Sequence, residues 1–153
     1  MAPVYLISGD EPLLVQEAAD AIRAAAKSQN YTERELIHVE AGFDWNVVLT
    51  EANSLSLFSE KKVLEIRIPS GKPGDKGSKT LQEYVANPNR DTLMLIITPK
   101  LESAATRSKW VKAIDSEGIF IQLWPIAQNQ LPKWINQRLQ QVGIRASRQA
   151  VTI

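Results

Sequence analysis

The chain has 153 residues, 44% of them hydrophobic and 23% charged, with a formal net charge of +1; that suffices for one packed core and gives no bulk attraction to nucleic acid or anionic membranes. Cysteine is absent and His38 is the single histidine, which excludes disulfide scaffolds, thiolate chemistry and Cys-based zinc sites, and nearly all familiar metal and triad arrangements. There is no run of about 18 apolar residues and no basic flank or cleavage pattern at the start, so a soluble, cytoplasmic protein without a membrane partner is expected.

Val4 to Ser8 reads as a strand, Gly9-Asp10-Glu11-Pro12 as a turn, and Leu13 to Ala26 as a helix with Leu14, Ala18, Ala21, Ile22 and Ala25 on one face. Glu35 to Glu40 predicts a second strand, followed by a helix from about Asp44, a good cap, to Ala52. Val63 to Ile68 alternates like a third strand. Pro69 to Gly77 is dense in Gly, Pro and charge and predicts a solvated loop, with a helix from Ser78 to Ala86 stopped at Asn87-Pro88. Leu93 to Ile97 is an unbroken apolar run, as a strand covered on both faces requires. One helix containing Ala104, Ala105, Trp110, Val111 and Ile114 then leads to a fifth strand, Ile119 to Trp124.

This βα alternation predicts an α/β fold, a parallel sheet flanked by helices, with any site beyond the carboxyl ends of the strands. The α/β domain spans 1–125, closed by Pro125, and 126–153 opens a second, helical domain whose first helix is Gln130 to Val142, ended by Gly143. An apolar pattern restarts at Ala150-Val151-Thr152-Ile153, where the chain stops, which predicts a piece of something longer.

A strand, turn and helix at the start of such a unit is where a phosphate loop belongs, and the chemistry is missing. Gly9 to Gln16 has the first glycine but no second glycine, no lysine for the terminal phosphates and no Ser or Thr for magnesium. Asp10 and Glu11 would repel a phosphate, although they suit a bare helix amino terminus. The apolar strand Leu93 to Ile97 runs into Thr98-Pro99-Lys100 instead of the acidic residue that would organise magnesium. Gly71 to Ser78 superficially resembles a phosphate loop, but its lysine precedes the glycine, Asp75 is acidic and Pro73 lacks an amide. No nucleophile elbow, zinc-binding helix or convergent carboxylate pair is present. The basic residues Lys61-Lys62, Lys76 with Lys79, and Arg107 with Lys109 and Lys112 read as solvated faces, with phosphate-backbone contact as the alternative.

The segment Asn53-Ser54-Leu55-Ser56-Leu57-Phe58 places two large apolar residues at a corner between the second helix and the third strand. If Leu57 and Phe58 are exposed, burying them in a partner is worth roughly 1.5–3 kcal/mol each before ordering costs, enough for an interface anchor. Otherwise they fold back into their own core.

Taken together, Tyr5-Leu6-Ile7-Ser8-Gly9-Asp10-Glu11-Pro12-Leu13-Leu14-Val15-Gln16-Glu17, Leu55-Ser56-Leu57-Phe58 and Gln130-Leu131-Pro132-Lys133-Trp134-Ile135 resemble the delta subunit family of the bacterial DNA polymerase III clamp loader. The resemblance implies a degenerate AAA+-like domain that neither binds nor hydrolyses ATP, with no cofactor, no metal and no catalytic residue of its own. It implies that Leu57 and Phe58 enter the peptide pocket of the sliding clamp, that Leu55 and Ser56 shape the turn, and that the ring is biased towards opening for loading onto DNA. Asn53 stands where related clamp-binding peptides often carry glutamine, a departure from the pattern. Further partners implied are the other loader subunits, joined through a collar beyond the present chain, and primer-template DNA through the assembled loader. The rival readings are an atypical nucleotide-dependent AAA+ enzyme and a DNA-binding accessory domain.

Overall fold

A computed structural model describes residues 1–54 and 61–123. Over these the chain alternates β1 (Val4–Ser8), α1 (Pro12–Ser28), β2 (Tyr31–His38), α2 (Asn46–Asn53), β3 (Lys61–Arg67), α3 (Gly74–Ala86), β4 (Thr92–Thr98), α4 (Ser103–Thr106), α5 (Lys109–Glu117) and β5 (Ile119–Gln122). All pairings are parallel, in the order β2-β3-β4-β1-β5, so β1 lies centrally beside β4 and β5. The expected α/β architecture with helices on both faces is the one observed. The helix read over Gln130 to Val142, and the whole of 126–153, lie outside the described residues.

Two apolar cores sandwich the sheet because successive side chains of each central strand point to opposite faces. Tyr5, Ile7, Leu93, Leu95 and Ile121 pack against α1, whose buried stripe of Leu14, Ala18, Ala21, Ile22 and Ala25 is the one read from the helical spacing. The small alanines let α1 approach the sheet closely. On the other face Leu6, Leu64, Ile66 and Ile96 meet Val48, Leu81, Trp110 and Ile114 from α2, α3 and α5. Gly118 ends α5 where a Cβ would collide with the carbonyl oxygen of Val4. That absence of a side chain lets the chain turn directly from α5 into β5.

Several boundaries differ from the sequence reading, and the larger differences have physical reasons. β2 starts at Tyr31 rather than Glu35, because it is an edge strand with partly exposed faces and needs no continuous apolar run. Asn30, in the left-handed region at φ 73°, turns the chain out of α1 into it. α3 starts at Gly74 rather than Ser78, so the end of the stretch read as a solvated loop, from Gly74 to Gly77, is helical; Gly77 leaves room for the Trp45 ring. The single helix expected before β5 is two, because Ser108 is extended at ψ 157° and its hydroxyl donates to the Ala105 carbonyl at 2.5 Å, closing α4 before α5 begins. β3 begins at Lys61, so Lys61 and Lys62 belong to the sheet.

Candidate functional site

At the carboxyl ends of β1 and β4, the position of a phosphate loop in this topology, the polar groups are engaged by the chain itself. The Ser8 hydroxyl donates to the Pro99 carbonyl at 3.1 Å and accepts the Leu101 amide at 2.8 Å. A carboxylate oxygen of Asp10 accepts the Lys100 amide at 2.8 Å, and the Gly9 amide reaches the Thr98 carbonyl at 3.3 Å. Asp10 therefore ties the turn to the end of β4 rather than capping α1, and Glu11, at the N-cap, makes no side-chain capping bond. Pro12 then removes one of the amides a phosphate would need. Gly9 has a packing reason to be glycine, since its Cβ would lie 3.0 Å from that of Leu123. A cavity of about 410 Å³ opens beside this corner, and its charged lining is Lys100 balanced by Glu102.

The stretch from Gly71 to Ser78 offers no better cradle. It borders a cleft of about 620 Å³ between the loops that follow β2 and β3, lined by Lys72 and Lys76 but also by Glu40 and Asp75. His38, the last residue of β2, is exposed. Among the described residues no group of three or more His, Asp or Glu could hold a metal ion. No helix among them is long and apolar enough to cross a membrane.

Leu55, Ser56, Leu57 and Phe58 lie outside the described residues; the structure fixes what flanks them. Ser54 follows α2 and Lys61 opens β3, which puts both flanks at the amino edge of the sheet. This is the end opposite the phosphate-loop corner, whereas the fold class alone led to the carboxyl edge. The flanks are joined by a dense set of hydrogen bonds. Lys62, only 4% exposed, donates from Nζ to the Glu51 carbonyl and, at 2.6 Å, to the Ser54 hydroxyl. The Ala52 carbonyl accepts Asn89 Nδ2 at 3.0 Å and the Thr92 hydroxyl at 2.8 Å. Ser54 closes its own turn on the Glu51 carbonyl through its amide and its hydroxyl, and Asn53 spends its side-chain amide on the Leu49 carbonyl at 2.9 Å. The last carbonyls of a helix have no intrahelical partner. Here three side chains from β3, β4 and the turn before β4 supply partners, one of them a cation at the negative end of the helix dipole.

Sequence reasoning missed this frame. Lys62 read as part of a polar, solvated basic pair, but it is buried, and the half-buried Lys61 places its Nζ 5.3 Å from the centre of the Tyr31 ring. The available signal was the apolar run beginning at Val63, which extends one residue further back in burial than in residue type.

A second set of charges was also missed. Glu65, inside the strand read over Val63 to Ile68, is fully buried. Arg23 of α1 donates to it at 3.0 Å through Nε and again through a terminal nitrogen, Arg67 Nε donates at 3.0 Å, and Arg34 of β2 lies at 3.5 Å. Burial pushes the Glu65 carboxyl up, but the Arg23 hydrogen bonds and charge, then Arg67 and Arg34, outweigh it and hold the group below its ordinary value. The cluster locks α1 to the β2-β3 side of the sheet.

Comparison with known proteins places these features in context. A family model described as "DNA polymerase III, delta subunit" matches residues 5–123. Curated relatives named DNA polymerase III subunit delta include those of Escherichia coli K12, 27% identical over 140 residues and 92% of this chain, and Haemophilus influenzae, 27% identical over 99% of it. The chain spans 41% and 44% of the lengths of these two. Among solved structures, the Bacillus subtilis DNA clamp loader delta protein superposes with a TM-score of 0.62 at 17% identity, over 98% of this chain and 46% of that one. A DNA polymerase III gamma subunit-related protein of Thermotoga maritima gives 0.51 at 8% identity, over 90% and 50%. At such identities the two structures speak to the fold alone.

Proposed function

The chain belongs to the DNA polymerase III delta subunit family, and from that membership we propose that it is a clamp-binding and ring-opening region of a bacterial clamp loader. The observation that carries the proposal is the extent of the family match, 5–123, which includes the Leu57-Phe58 corner. Leu57 and Phe58 are the anchors that enter the apolar peptide pocket of the sliding clamp, and Leu55 and Ser56 shape the turn that presents them. The α/β body supplies the leverage that biases one ring interface towards opening.

The protein acts without ATP chemistry of its own. That reading is supported by the Asp10-Lys100 tie, by the missing amide at Pro12 and by Asp10 and Glu11 standing where a phosphate would approach. Nucleotide turnover then belongs to other loader subunits, and primer-template DNA is met through the assembled loader. The place of action is the replisome in the bacterial cytoplasm.

Size-exclusion chromatography of the chain mixed with its cognate sliding clamp, in the absence of nucleotide, tests the reading. Co-elution is the expected result; separate elution of two folded proteins contradicts it.

A further inference from the structure

We infer that Lys62 is a positioning residue for the clamp-binding corner, acting as a buried cationic clasp that sets the exit of α2 against the entry of β3. The role presupposes the clamp-binding reading of Leu57 and Phe58. A lysine with 4% exposure has given up most of its water, and such burial requires partners. Among the described residues those partners are the Glu51 carbonyl, at the end of α2, and the Ser54 hydroxyl, just before the corner. Its own amide meanwhile donates to the Asp91 carbonyl at 2.9 Å, and Thr92 and Asn89 hold the adjacent Ala52 carbonyl. Lys62 thus spans the two flanks of 55–60 with one side chain, from a backbone fixed in the sheet.

Core stability alone does not require a charge here. A methionine would fill the same volume, and the flanks would keep the Thr92 and Asn89 bonds. What the ammonium adds is a fixed relation between the two ends of the anchor-bearing segment, and fixing them before binding removes part of the ordering cost from association.

The test measures clamp affinity by calorimetry, with thermal melts, for the wild-type chain, Lys62→Met, Ser54→Ala, Leu57→Ala and the Lys62→Met, Leu57→Ala pair. The expected losses are about tenfold for Lys62→Met and about threefold for the exposed Ser54→Ala, with the pair losing less than the product of its members. A residue that only supports the fold would lower the melt and leave those affinities unchanged among folded molecules. Wild-type affinity in both Lys62→Met and Ser54→Ala overturns the inference, and if Lys62→Met does not fold, Ser54→Ala alone decides it. Absence of clamp binding by the wild type, or full binding by Leu57→Ala, instead defeats the clamp-binding reading.

Discussion

The carboxylate of Asp10 accepts the backbone amide of Lys100 at 2.8 Å, tying the turn after β1 to the segment that leaves β4. In a working phosphate site this turn keeps its amides for the ligand and carries no acid. The isolated chain should therefore show no magnesium-dependent ATP binding by calorimetry, and replacing Asp10 with Asn should not create any. Saturable ATP binding by the wild type would restore the reading as an atypical nucleotide-dependent protein.

Glu65 and Arg23 form a buried ion pair whose value lies in being complete. Glu65→Ala leaves Arg23, Arg34 and Arg67 without their common carboxylate and should cost about 3 kcal/mol of stability in denaturant melts, within the range seen when one partner of a buried pair is removed. Because the folded-state value of Glu65 lies below the ordinary 4.5, its contribution is present above that pH and is lost as pH falls through the folded value. The wild type should lose stability steadily below about pH 4.5, and Glu65→Ala should lose less over that window.

Two buried tyrosines set the alkaline limit in the opposite sense. Burial pushes the Tyr84 phenol up to about 12 and raises Tyr5 further above its ordinary value of 10. Both stay protonated in the folded chain when the unfolded chain would ionise. Stability is thus held below pH 10 and declines as pH rises through 12. Phenolate absorbance should appear together with loss of the circular-dichroism signal; full phenolate formation in a chain that stays folded would contradict this account.

The parts of the fold legible in the sequence were those where residue type and burial agree. The run Leu93 to Ile97 and the face of Leu14, Ala18 and Ile22 carry only apolar side chains inward, so period and composition alone disclose β4 and α1. Edges and polar interiors were harder. Tyr31-Thr32-Glu33-Arg34 forms a strand because β3 pairs with it, a long-range reason that no local pattern carries. Lys62 read as solvent-facing because its type usually is, and the strand pattern did not single out Glu65; only the fold brings the Glu51 carbonyl to one and Arg23 to the other. The Leu57-Phe58 corner lies outside the described residues; the frame at its flanks was not legible, since Asn89 and Thr92 lie far from α2 along the chain.

The central claim, that Leu57 and Phe58 are anchors for a clamp rather than part of this protein's own core, is tested most directly by calorimetry against the cognate sliding clamp. The wild-type chain and the Leu57→Ala, Phe58→Ala double variant are titrated side by side, each with its thermal melt. The account predicts tight wild-type binding, weakened by roughly two to four orders of magnitude in a variant that melts normally. A well-folded wild type that does not bind contradicts it, as does a variant that binds unchanged. A variant that unfolds, at a cost of about 2–5 kcal/mol, returns both side chains to the core.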